Sequence, residues 1–256
     1  MPEAGSPIAA RLQSLASEQI GDLRVADVRI GLKYTAVALE DGSLGLALTP
    51  VDCQEHSCWS FGDRSPMMGR PGVELLAGLS SRVPGETALG LACANAVFNR
   101  SGAPGTRGDV LDMIAPRPED RVVMVGHFQP VVRRLQGQVA SLAIFDLHVD
   151  QGPDVRPAEE VFSALPYADV ALITATTLIN HTLDPILQAA GHCRQVALLG
   201  ASTPMVPVVF ASGPISLLSG VHANQIAEIL QTVSEGGGMA VFKKYVNKIN
   251  LKVTRP

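Results

Sequence analysis

VVMVGHFQP, residues 122–130, is the stretch from which the rest of the chain can be read. Its first four residues are an unbroken apolar run that stops at a glycine. A run without polar alternation reads as a strand covered on both faces. A buried strand that turns at a glycine is where α/β proteins place a phosphate loop. That loop needs the pattern G-x-G-x-x-G: one glycine for the turn, one for the approach of a pyrophosphate, one for helix packing. Here the turn reads G-H-F-Q-P-V. Gly126 is present, the second and third glycines are not, and His127, Phe128 and Pro130 take up the space. No G-x-x-x-x-G-K-[ST] loop occurs elsewhere.

Downstream the same grammar repeats. RVVMVG (121–126), SLAIFDL (141–147), DVALITA (169–175), QVALLG (195–200) and ISLLSG (215–220) begin 20 to 28 residues apart, the spacing of βαβ units. PVVRRLQGQ, AEEVFSAL and segments near 181–190 and 204–210 supply helices between them. HANQIAEILQTVSEGGG is an amphipathic helix with a glycine stop. MAVFKKYVNKINLKV (239–253) is a further helix or a helix plus a strand. These residues predict an open, mostly parallel, Rossmann-like sheet.

Upstream the pattern differs. Ile8, Leu12, Leu15, Ala16 and Ile20 have helical spacing. Asp41-Gly42 joins two apolar runs and signals a hairpin. Residues 73–79 and 86–98 read as helices, the second with Leu89, Cys93, Ala96 and Val97 on one face. RSGAPGTRGD (100–109) and APRPED (115–120) break the chain around the short helix DVLDMI. The fold class expected is therefore α/β, with an α+β domain over 1–115 and the Rossmann-like domain over 116–256.

The totals narrow the function. The chain has 256 residues, 46% hydrophobic and 17% charged, with a net charge of −4. It is globular, and it lacks the basic excess that nucleic acid or an anionic membrane would require. No apolar run approaches the roughly 20 residues of a spanning helix, and the N-terminus lacks a signal pattern. The expected location is cytoplasmic, with the four cysteines as reduced thiols.

Ligands of open α/β sheets bind outside the carboxyl ends of the strands. Those ends carry Gly126, His127 and Phe128; Asp146 and His148; Thr174, Thr176, Thr177, Asn180 and His181; Gly200, Ser202 and Thr203; and His222. Asp146 stands where a ribose-binding carboxylate would. The hydroxyls of Thr176, Thr177, Ser202 and Thr203 and the amide of Asn180 could orient a polar ligand, or could cap the helices that follow. His127, His148, His181 and His222 fall on one edge and form a candidate metal set, since neutral imidazoles bind zinc, copper, iron and nickel. The plainer reading is that polar residues belong in loops. His192 should lie at the opposite edge. Cys53, His56 and Cys58 form a second candidate metal group with no visible fourth ligand. Cys93 and Cys193 read as packing residues. No G-x-S-x-G elbow is present.

VGHFQP, DVALITATTLINHT, GASTPMVP and LLSG together resemble the heavy-metal chelation domain family of bacteria and archaea, over nearly the whole chain. That resemblance implies an enolase-N-terminal-like domain followed by a Rossmann-like one, with a cleft between them that binds a heavy metal or a metal-chelating small molecule. A transition metal is the cofactor it suggests, bound by a protein that binds ligands or acts on them. The competing expectation is an enzyme using a nucleoside cofactor, S-adenosylmethionine or NAD, without the glycine fingerprint. The loop with Trp59, Phe61, Met67 and Met68 reads as a lid on the cleft or a dimer contact, so a homodimer is the candidate assembly.

Overall fold

The computed structural model describes residues 6–50, 66–152 and 154–254. Cys53, His56, Cys58, Trp59 and Phe61 lie outside them, and with them the second candidate metal group and most of the proposed lid.

The first helix, Pro7–Ile20, starts where Ser6 accepts the Ala9 N–H at 3.2 Å, and it buries Leu12, Ala16 and Ile20. An antiparallel sheet follows, β1 (Val25–Ile30), β2 (Tyr34–Leu39) and β3 (Leu44–Leu48). Asp41 fixes the hairpin by accepting the Ser43 N–H and hydroxyl. The helix Pro84–Phe98 lies across this sheet. Its sequence marks one apolar face, yet residues 87–98 are buried without a break. The sheet covers one side of it, and the helices Pro7–Ile20 and Gly72–Leu76 cover the other. The approach to β3 is backbone against backbone: a Cβ on Gly45 would lie 2.0 Å from the Ala92 carbonyl oxygen.

The second sheet has eight strands: β4 (Thr106–Arg107), β5 (Arg121–Val125), β6 (Ser141–Asp146), β7 (Val155–Pro157), β8 (Val170–Thr174), β9 (Gln195–Leu199), β10 (Leu217–Ala223) and β11 (Val246–Lys252). Their order is β4-β11-β10-β9-β8-β5-β6-β7. The strands β5 to β10 are parallel, β11 runs antiparallel to β10, and β4 antiparallel to β11. The C-terminal segment is thus a short helix, Met239–Phe242, followed by a strand. The sheet also enters the chain earlier than residue 116, because Thr106 and Arg107 pair with β11.

From β7 across to β10 the strands stand in the order 3-2-1-4-5-6 used by doubly wound sheets. The winding direction reverses between β5 and β8, and a crevice opens at the carboxyl ends there. The amino edge is closed by ion pairs, Arg121 to Asp169 at 3.1 Å and Arg194 to Asp120 at 2.5 Å. The Arg121 guanidinium holds the Asp169 carboxyl below its ordinary range.

Hydrogen bonds stitch the two sheets in a seam where the helix Pro84–Phe98 and its cap Asn99 meet the segment after β9. Asn95 Nδ2 donates to the carbonyls of Leu46 and Ser202, Asn99 Nδ2 donates to the Thr203 carbonyl, and Asn99 Oδ1 accepts the Met205 N–H. Among the described residues no helix is long and apolar enough to cross a membrane.

Candidate functional site

A cleft of about 290 Å³ opens at the carboxyl ends of β5, β6 and β8. Each wall follows from a strand end. Gly126 ends β5 with φ +90°, and a Cβ there would come 2.8 Å from Thr174 Cβ, so only glycine lets the turn close against β8. Asp146 ends β6, and its two carboxylate oxygens accept the backbone N–H groups of His127 and His148, each at 2.9 Å. The β5 and β6 turns are thereby tied to one side chain.

After β8 the chain curls into a 3-10 turn, Ala175–Leu178. Thr174 and Thr176 share a hydroxyl hydrogen bond of 3.0 Å, and Thr177 donates to the Thr174 carbonyl at 2.7 Å. One hydroxyl hydrogen of the Thr174–Thr176 pair serves that bond, which leaves the other to donate elsewhere. Asn180 Oδ1 accepts the Thr182 N–H and hydroxyl, which leaves the amide NH₂ of Asn180 as the donor side. The apolar wall is made by Val125, Phe145, Val161, Phe162 and Ile186, with Leu147 at the rim. Phe162 is 45% exposed and Leu147 69%.

The structure therefore brings together Gly126, Asp146, Thr174, Thr176, Thr177 and Asn180 of the expected ligand-binding residues. It separates the others. Phe128 turns its ring across the neighbouring strand ends, 3.5 Å from the Cβ position of Gly126 and 3.7 Å from that of Gly200. Ser202 and Thr203 are buried in the seam, where the Ser202 hydroxyl accepts the Leu48 N–H at 2.8 Å.

The four histidines do not all converge: the His127 ring faces Gly152, 4.0 Å from its Cβ position. His148 is exposed, and its backbone N–H donates to Asp146. His181 bonds through Nε2 to the Ser81 carbonyl at 2.7 Å, so that nitrogen carries the hydrogen. His222 is not in a loop: pairing with β11 extends β10 to Ala223 and buries the ring, opposite Asn247. Burial lowers its pKa. Three strand spacings separate β10 from β5, roughly 14 Å. His192 is exposed just ahead of β9, on the amino edge. Among the described residues no three histidine, cysteine or acidic groups are placed to hold a metal ion. Burial also pushes the Cys93 thiol up to about 12 and the Cys193 thiol up to about 11, so neither offers a thiolate. A bare transition metal does not fit the donor groups described.

Sequence reasoning missed Leu147, Glu159, Phe162 and Thr182, which also line the cleft. The signal available was Phe162, an aromatic residue in a short helix between two acidic residues and a serine.

Two family models match, one over residues 109–252 and one over 13–98, both described as "Putative heavy-metal chelation". The chain belongs to this family. An uncharacterised protein of Methanocaldococcus jannaschii is 25% identical over 96% of both chains. Two solved structures share the fold, and both are described as family members of unknown function. The protein from Pyrococcus horikoshii has a TM-score of 0.84 at 23% identity, covering 96% of this chain and 100% of its own. The one from Desulfitobacterium hafniense has a TM-score of 0.78 at 19% identity, covering 95% and 98%.

Proposed function

We propose that this protein binds a small organic molecule in the cleft at the ends of β5, β6 and β8, and that a heavy metal reaches it already held by that molecule. The observation that carries this reading is the composition of the cleft. Hydroxyls, an amide and carboxylates line it together with a larger set of apolar side chains. Small-molecule sites are built in this way, with an apolar lining and a few convergent polar groups. A cage for a bare cation needs three or more donors on one point, and the described residues do not form one. The family description is met if the organic ligand is the chelator.

Melting of the full chain tests this with Ni²⁺, Co²⁺ and Zn²⁺, each alone and as its 8-hydroxyquinoline and 1,10-phenanthroline complexes. A ligand at 100 times its Kd stabilises by about 2.7 kcal/mol. The complexes should raise Tm, the bare ions should not, and Thr176→Val with Phe162→Ala should remove the shift. Stabilisation by bare ions alone that survives both substitutions would overturn the proposal.

A further inference from the structure

The cleft sits at a specific place in the strand order. β5, β6 and β8 are strands 1, 2 and 4 of a doubly wound sheet, and the cleft lies beside the point where winding reverses. In such sheets an acidic residue at the end of the second strand, about 20 residues after the turn glycine, accepts the hydroxyls of a ribose. Asp146 ends β6 twenty residues after Gly126. Its carboxylate is already aimed, because one backbone N–H bonds to each oxygen. Each oxygen keeps a further lone pair for a second donor.

The place for a pyrophosphate, by contrast, is closed. The Phe128 ring lies across the β5 and β9 turns, against Gly126 and Gly200. In the first turn of the helix that follows, Gln129–Leu135, three of the four backbone positions have no N–H to offer an anion. Pro130 has no N–H, and the amides of Val131 and Val132 both donate to the Phe128 carbonyl, at 2.8 and 3.0 Å. A volume of about 290 Å³ also stands at the small end of the roughly 300–1,000 Å³ of ligand clefts, so it suits one ring system and a sugar.

We infer that the cleft recognises a ribonucleoside without a pyrophosphate. The ribose diol donates to Asp146, the base lies against Phe162, and the Asn180 amide and the Thr174–Thr176 hydroxyl pair meet the edge of the base. This rests on reading the cleft as a small-molecule site, and it names the class of molecule. An aromatic ring at the mouth supplies a stacking face that any base can use. The carboxylate supplies selectivity for the diol.

Calorimetric titration of the protein tests the inference with adenosine, guanosine, cytidine, uridine, 2′,3′-dideoxyadenosine and NAD. At least one ribonucleoside should bind. Adenosine should bind ten times more tightly than its dideoxy analogue or better, and NAD no more tightly than adenosine. The dideoxy comparison needs no variant. Asp146→Asn should level adenosine and its analogue, and Phe128→Ala should improve NAD relative to adenosine. The inference is overturned if no nucleoside binds at millimolar concentration, or if the dideoxy analogue matches adenosine. Should the metal chelates bind in a Thr176-dependent manner while nucleosides do not, the nucleoside assignment falls and the small-molecule cleft stands. Should both sets of probes fail, the cleft reading falls as well.

Discussion

The ends of β8 and β9 look alike as sequence and are put to opposite uses. Thr174, Thr176 and Thr177 follow one strand, and Ser202 and Thr203 follow its neighbour. After β8 the chain caps its own 3-10 turn, and a hydroxyl pair is left at the wall of a cleft. After β9 the chain runs under the helix Pro84–Phe98, where Asn95 and Asn99 take the carbonyls of both residues. Hydroxyl-rich strand ends are thus uncommitted until the packing above them is known. What lies over β9 comes from a part of the chain about 100 residues away.

Substitutions put this contrast to the test. The largest effect belongs to Asn95→Ala, which strips two buried carbonyls of their donor and leaves a void. It should cost about 3 kcal/mol in urea denaturation while the surviving folded protein keeps its affinity for the cleft probes. Next comes a matched pair. Ser202→Ala leaves the Leu48 N–H unpaired and should cost about 1 kcal/mol with little change in binding. Thr176→Val should cost about 0.5 kcal/mol or less, since water can reach the partner it abandons, and should weaken cleft ligands tenfold or more. Equal behaviour of the two variants would erase the distinction. The smallest effect is a pH dependence near the seam side of β10. Burial lowers the His222 pKa from 6.5, so the folded state disfavours the proton. That contribution to stability is complete above pH 6.5 and is lost as pH falls through the lower folded value. The urea midpoint of wild type should therefore drop faster below pH 6.5 than that of His222→Gln.

Much of the frame was legible. The hairpin at Asp41-Gly42, the five apolar runs and the apolar spacing of the first helix announce themselves by local chemistry. The edge strands β4 and β7 did not, because two or three residues carry no period. The helix Pro84–Phe98 showed one face only, since alanine and glycine look neutral until another backbone packs on them. In the site, Gly126 and Asp146 could be read from strand ends. Ser202 and Thr203 could not be told from Thr174 and Thr176. His222 misled because a loop was expected where β11 prolongs the strand. Phe128, expected among the ligand groups, instead lies as a bulky ring across the Gly126 and Gly200 turns.

The turn at His181 ties the cleft to the rest of the molecule. Its backbone is left-handed, φ 57°, in a residue that is not glycine, and its ring reaches across to the Ser81 carbonyl in the N-terminal half. Its neighbours on either side, Asn180 and Thr182, are cleft wall. Three consecutive residues therefore face two structures at once, the cleft on one side and the other half of the chain on the other. In the proposed reading, a guest held by Asn180 would also bear on that crosspiece.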